Sequence, residues 1–184
     1  MAVQIQPRAV TTWQIDPVHT NVEFAVRHLM VATVRGRFNT VAGTLVLDEE
    51  DLARSAVTVQ IDAASIDTRE PQRDEHLRSP DFLDTAQFPT ITFQSRRIAP
   101  RPDGRYTVVG DLTIRGITRE VVLEAAIDGR VKDPWGNERI AFSAQTTINR
   151  KDFGANWNVA LEAGGWLVGE EVKVSIEAEA VRQA

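Results

Sequence analysis

Apolar residues recur at every second position along much of this chain. The runs are Val22, Phe24 and Val26; Val57, Val59 and Ile61; Ile91 and Phe93; Tyr106, Val108, Leu112 and Ile114; Val121, Leu123, Ala125 and Ile127; Ile140, Phe142, Ala144 and Ile148; and Val172, Val174, Ile176 and Ala178. A period of two puts each set on one face of a strand. The intervening positions are largely Thr, Glu, Gln, Arg and Ser, so the opposite face is wet, as in antiparallel sheets and unlike a parallel sheet covered on both sides. With the segment Arg37 to Leu47, eight strands are predicted. Turn chemistry separates them at Asp48 to Asp51, Pro102 to Gly104, Arg115-Gly116 and Lys132 to Asn137. Several strands run to about ten residues, beyond the common length of about five or six. Long twisted antiparallel strands close up to remove their edges, so the pattern predicts a barrel or a strongly curved half-barrel.

Two segments break the period. From Arg69 to Asp84, Pro71 and Pro80 bound a stretch of helix formers, which predicts one short helix over residues 71–79. Leu77, Phe82 and Leu83 give that segment a modest apolar side, suited to capping one end of the barrel. From Lys151 to Gly169 runs an apolar, glycine-containing connection with Phe153, Trp157, Val159, Leu161, Trp166 and Leu167. Connections longer than about 12–15 residues in compact domains are usually functional or mobile; this one is expected to act as a lid or a dimer contact.

Composition narrows the chemistry. The 184 residues suit one domain, placed at 12–182 behind an N-terminal extension of residues 1–11. A net charge of -5 has the wrong sign for phosphate neutralisation, so no nucleic-acid partner is expected. Zero Cys excludes disulfides, thiolate metal sites, Cys nucleophiles and iron–sulfur clusters. The three histidines, His19, His28 and His76, lack the spacing of a zinc site, and neither metal nor cofactor is expected. Arginine outnumbers lysine, but its positions scatter from Arg8 to Arg182, as a composition bias would leave them. No stretch approaches about 18 apolar residues and no secretory leader is visible. The expectation is a cytoplasmic protein without a transmembrane segment, free to make transient membrane contact.

Candidate polar chemistry clusters in two places. Arg73, Asp74, Glu75 and His76 share the short helix, but adjacent helical positions point apart, so Asp74 and His76 do not form a dyad by themselves. Capping and ion pairing are the first reading there, with contact to a ligand head group next and catalysis last. Asn149 to Gly154 reads as a structural turn in which Arg150 pairs with Asp152 or a neighbouring carboxylate. Gly110 and Gly116 lie between strands and form no phosphate loop. The barrel interior remains: eight strands enclose room to be filled by side chains or to hold one elongated small ligand. Small inward residues, Gly110, Ala125, Ala144 and Ala178, serve either outcome.

The same segments resemble the YceI-like family of lipocalin-like lipid-binding proteins. The matching stretches are Ile15 to Thr20, Val22 to His28, Arg35 to Phe38, Arg73 to Phe82, Phe88 to Phe93, Gly110 to Gly116 and Asn149 to Gly154, within a likeness over roughly residues 12–181. Thr20 stands where Ser is common, Leu83 where a second Phe is common, and the secretion signal of many periplasmic members is missing. The resemblance implies an all-β fold, an extended eight-stranded antiparallel lipocalin-like β-barrel with one short helix capping an end. It implies a long apolar pore holding a polyisoprenoid, an isoprenoid quinone or a fatty-acid-like lipid, commonly in a homodimer, and no catalytic residue. His28, Asp74, His76, Asp81, Phe82, Arg150 and Phe153 match family motif positions. The alternation nominates Phe24, Val26, Ile61, Leu77, Phe93, Leu112, Ile114 and Phe142 as pore contacts; His28, His76, Phe82 and Trp157 complete the expected ligand-binding set.

The leading expectation is therefore non-catalytic binding, storage or transport of a long apolar ligand. One rival is an enzyme using His28 or His76 with Asp74 at the pore mouth. Another is an interaction module with a solidly packed barrel and a partner contact through Trp157 and Trp166.

Overall fold

In the computed structural model, which describes residues 9–184, the alternating segments form staves of one closed barrel. The first three staves are bent: β1 (Val10–Ile15) continues into β2 (Asn21–His28), β3 (Ala32–Phe38) into β4 (Val41–Asp48), and β5 (Ala56–Asp62) into β6 (Ile66–Asp67). After helix α1 (Pro71–Arg78) come β7 (Thr90–Pro100), β8 (Tyr106–Ile114), β9 (Ile117–Lys132), β10 (Glu138–Asn149) and β11 (Val168–Arg182). Each stave pairs antiparallel with the next in sequence. Closure comes from β11, whose end pairs with β1 (Ile15 opposite Ala180) and whose beginning pairs with β2 (Val22 opposite Ile176). The eight expected strands thus correspond to eight staves in an up-and-down order.

The alternation missed the start of the first stave. Of the expected N-terminal extension, residues 1–8 lie outside the described residues, while Val10 and Thr11 already belong to β1. Asp16 and Pro17 bend this stave without ending it: the Asp16 carboxylate accepts the Val18 N–H at 3.0 Å, forming a single 3-10 turn over Pro17–His19 before β2 resumes. The Arg115-Gly116 turn has φ of 53° and 69°, the positive pair that a tight two-residue hairpin requires.

Helix α1 forms where the two prolines bracket it. The Glu70 carboxylate caps its first turn by accepting the Gln72 and Arg73 N–H groups, and Ser79 follows Arg78 in extended geometry. Three side chains tie the surrounding segment down. Asp74 accepts the Thr68 N–H at 2.9 Å and its hydroxyl at 2.5 Å. Arg78 donates to the Ala64 and Ile66 carbonyls, and Arg115 to those of Pro80 and Phe82. The helix therefore sits across one end of the barrel.

The other end is solid. Trp13, Ile15, Leu45, Leu47, Ile140 and Ala180 form a buried cluster, with Trp13 only 2% exposed. The Trp13 indole N–H donates to Thr11 at 2.8 Å, Thr11 donates to Glu49, and Arg130 grips Glu49 from above the indole ring. Outside this floor, Arg139 joins Asp16 at 2.8 Å, Asp133 at 3.0 Å and Glu179 at 3.1 Å.

Candidate functional site

The same inward alternation that fills the floor leaves the rest of the barrel hollow. Phe24, Val26, Ile61, Phe93, Leu112 and Phe142 point inward yet are only half-buried, because a cavity of about 440 Å³ opens in front of them. The volume falls within the range of sites for small organic ligands, about 300–1,000 Å³. On β10 its wall runs from Phe142 through Ala144 and Thr146 to Ile148, about 20 Å along the strand at about 3.4 Å per residue. Small residues keep this space open by letting aromatic rings lie back against the wall. The Phe93 ring rests on Gly110, where an added methyl would sit 2.5 Å from it, and Ala125, Ala144 and Ala178 line the cavity itself. The solidly packed interior is thereby overturned: bulky residues lean on the small ones and leave the axis free.

All twelve expected contact residues, Phe24, Val26, His28, Ile61, His76, Leu77, Phe82, Phe93, Leu112, Ile114, Phe142 and Trp157, line this one cavity. At the end under α1 they form a mouth. The His76 imidazole meets the Phe82 and Trp157 rings edge-on at 5.0 and 4.7 Å, and Phe82 and Trp157 are 5.4 Å apart. Trp157 arrives there because the segment after β10 turns back over the pore. Arg150 to Phe153 make a 3-10 turn, ended by Gly154 at a φ of 76°, and Ala160 bridges to Trp166 before β11 begins. This is the segment expected to be a lid or dimer contact, and in the monomer it roofs part of the mouth.

The helix keeps Asp74 and His76 apart, as adjacent helical positions imply, while the pairing expected for Arg150 is replaced. Asp74 does not meet His76; its carboxylate is taken by Thr68, and His76 Nε2 lies 2.8 Å from Asp81. Five positions apart across the end of α1, that pair is invisible to helical spacing. Arg150 pairs with neither Asp152 nor any other carboxylate among the described residues. Its guanidinium donates instead to the carbonyls of Gly169 (2.8 Å), Ala155 (2.5 Å), Trp157 (2.9 Å) and Val168 (3.3 Å), and lies 5.9 Å from the centre of the Phe82 ring. It is 7% exposed, and burial pulls its pKa below the ordinary guanidinium value, partly opposed by the charge of Glu170. A buried cation bonded to peptide oxygens locks the returning segment onto β11, because no sequence neighbour could replace it without stranding those carbonyls. Arg73, one of the helical polar cluster for which head-group contact is the second reading, joins the wall at the mouth, and so does the backbone around Arg27, which the sequence does not single out. Both lie within stretches that match the family, but the direction of each side chain is set by the hairpin and by helix packing.

Outside the barrel, ligand atoms of Asp16, His19 and Glu179 lie within 4.8 Å of one another, but the Arg139 guanidinium already bridges Asp16 and Glu179.

An up-and-down barrel with a solid floor, a hollow apolar shaft and a helix-capped mouth is a lipocalin-like β-barrel. The chain belongs to the YceI-like family: the model of the YceI-like domain matches residues 13–180. Among its relatives, a UPF0312 protein of Vibrio campbellii is 39% identical over 135 residues, 73% of this chain and 71% of that protein. One from Yersinia enterocolitica is 38% identical over 164 residues, 89% and 82% of the two chains. Among solved structures, the YCEI protein of Campylobacter jejuni shares 28% identity at a TM-score of 0.71, covering 86% of this chain and 90% of its own. A domain from Saccharophagus degradans, described as polyisoprenoid-binding, shares the fold at a TM-score of 0.65 and 15% identity, covering 96% of this chain and 100% of its own.

Proposed function

We propose that this protein holds one long apolar chain, a polyisoprenoid or another long-chain lipid, in its shaft as a non-catalytic carrier or store. The observation that carries the reading is the continuous apolar cavity that runs from the buried floor cluster to the partly exposed His76 on the helix. Burying each methylene contributes about 0.8 kcal/mol, while association costs about 4–15 kcal/mol. A chain of about sixteen carbons gains roughly 13 kcal/mol gross, enough to bind without many polar contacts; a short one does not. The polyisoprenoid-binding description of the Saccharophagus degradans domain supports an isoprenoid among the candidates. At the mouth the His76 imidazole is held between Asp81 and the Phe82 and Trp157 rings, an aromatic collar around the entry to the shaft.

The test is equilibrium uptake of a long-chain alcohol by delipidated protein. Saturation at one molecule per barrel, with the alcohol recovered unchanged, is expected; absence of uptake, or a modified product, overturns the reading. A homodimer belongs to the same proposal, since Met30, Val31 and Trp166 are exposed beside the mouth at 58%, 78% and 50% and a second copy would cover them. Sedimentation equilibrium at micromolar concentration should return twice the chain mass, and a monomer there removes the dimer from the proposal.

A further inference from the structure

The charged or imidazole side chains that face the cavity are all basic, His28, Arg73, His76 and Arg150; Arg27 touches it from β2 with its side chain on the outer face, bonded to Thr33 and Met30. The wall residues include no Asp or Glu, although the chain as a whole carries five more acidic than basic groups. The carboxylates nearby are turned to other tasks, Asp74 to Thr68, Asp81 to His76 and Glu170 to Lys151. Arg73 and Arg150 form no ion pair with a carboxylate among the described residues, whereas Arg101, Arg105, Arg139 and Arg182 on the outside all do. Arg150 is the most telling, being more than nine-tenths buried and facing an apolar shaft. Its four bonds to carbonyls use four of five N–H donors and leave one on Nη2. Arg73 likewise spends only two donors, both on Thr68. Carbonyl dipoles solvate a guanidinium but do not cancel its charge, and cancelling a charge in a low-dielectric site is worth more than in water.

We infer that the pore selects amphiphiles whose head group is an anion, a carboxylate or a phosphate, held at the mouth by Arg150 with Arg73 while the chain fills the shaft. This rests on the carrier reading and sharpens it: a neutral isoprenoid or alcohol satisfies the shaft alone, and an anionic head satisfies both ends. The aromatic rings of Phe82 and Trp157 flank the head and shield it from water, which strengthens its bonds to the guanidinium groups.

The experiment compares hexadecanoate, hexadecyl phosphate and hexadecan-1-ol as competitors for Nile red bound to the full-length protein. The anions are expected to displace the dye at concentrations at least about tenfold lower than the alcohol, the scale of one charge-assisted hydrogen bond. A preference for only one of the two anions supports the inference and identifies the head. Equal displacement by all three overturns the inference and leaves the carrier reading intact; binding of neither dye nor competitors overturns the carrier reading itself. In Arg150→Gln the anion preference should shrink to about threefold or less with the alcohol unaffected. Because that variant also releases the carbonyls of the returning segment, Arg73→Gln serves as the second. Anion preference unchanged in both overturns the assignment of the arginines.

Discussion

At the floor of the barrel Trp13 is enclosed, its indole N–H bonded to Thr11 and its ring wedged among Ile15, Leu47 and Ile140. At the mouth Trp157 stands against His76 and Phe82, half-buried, with the cavity on one side. The two tryptophans are large inward side chains in one barrel, but the groups around them differ. Around the floor the charges answer one another: Arg130 with Glu49, and Arg139 with Asp16, Asp133 and Glu179. Around the mouth Arg73 and Arg150 are bonded to carbonyls and a hydroxyl and their charge is left for something else. A floor with its polar groups satisfied contributes stability, whereas a mouth with unspent donors contributes affinity.

This contrast is open to direct attack, beginning where the effect should be greatest. Trp13→Ala should destabilise the fold by about 3–5 kcal/mol, the usual cost of emptying a large aromatic site, read as a loss in urea midpoint. Arg139→Gln should lower the melting temperature by less, and should also change the response to acid. Arg139 and His19 hold the Asp16 carboxyl down at about 2 from an ordinary 3.8, and at Asp133 the hydrogen bonds from Arg139 and Asn137 outweigh burial with the same result. Because both folded values lie below the unfolded ones, their stabilisation is complete above about pH 4 and is lost as pH falls toward 2. Melting curves of the native protein should therefore shift downward across that window, and those of Arg139→Gln should be flatter there.

At the shaft the expectation reverses, with binding affected and stability spared. Ala144→Phe places a ring in the hollow opposite Ile176 and Ala125, filling space that is already empty. Lipid uptake should fall at least about tenfold, while unfolding changes by about 1 kcal/mol or less because nothing is overpacked. A large loss of stability would mean that the shaft is packed. Trp157→Ala should have the smallest effect on unfolding, about 1 kcal/mol or less, and weaken ligand retention several-fold, measured as the off-rate of a bound lipid.

The barrel was legible because strand alternation is a local signal, and inward residues from Phe24 to Phe142 follow from counting by twos. The start of β1 carried the same signal in Thr11, Trp13 and Ile15, but Asp16-Pro17 reads as a terminator and the bend it makes depends on Arg139, far along the chain. Hollowness could not be read from small residues, since Gly110 serves a packed core equally well until the Phe93 ring is seen lying on it. The pairing of His76 with Asp81 and the isolation of Arg150 are set by how segments after α1 and β10 return over the mouth, a matter of tertiary packing that neither spacing nor composition encodes.

Whether the shaft holds lipid in the working protein is decided by native mass spectrometry of gently purified, untreated protein. A second species is expected, heavier than the chain by the mass of one long-chain molecule, which disappears on organic extraction and returns on incubation with hexadecanoate. A protein found only at the mass of its chain, and unchanged after that incubation, would contradict a lipid site in the shaft.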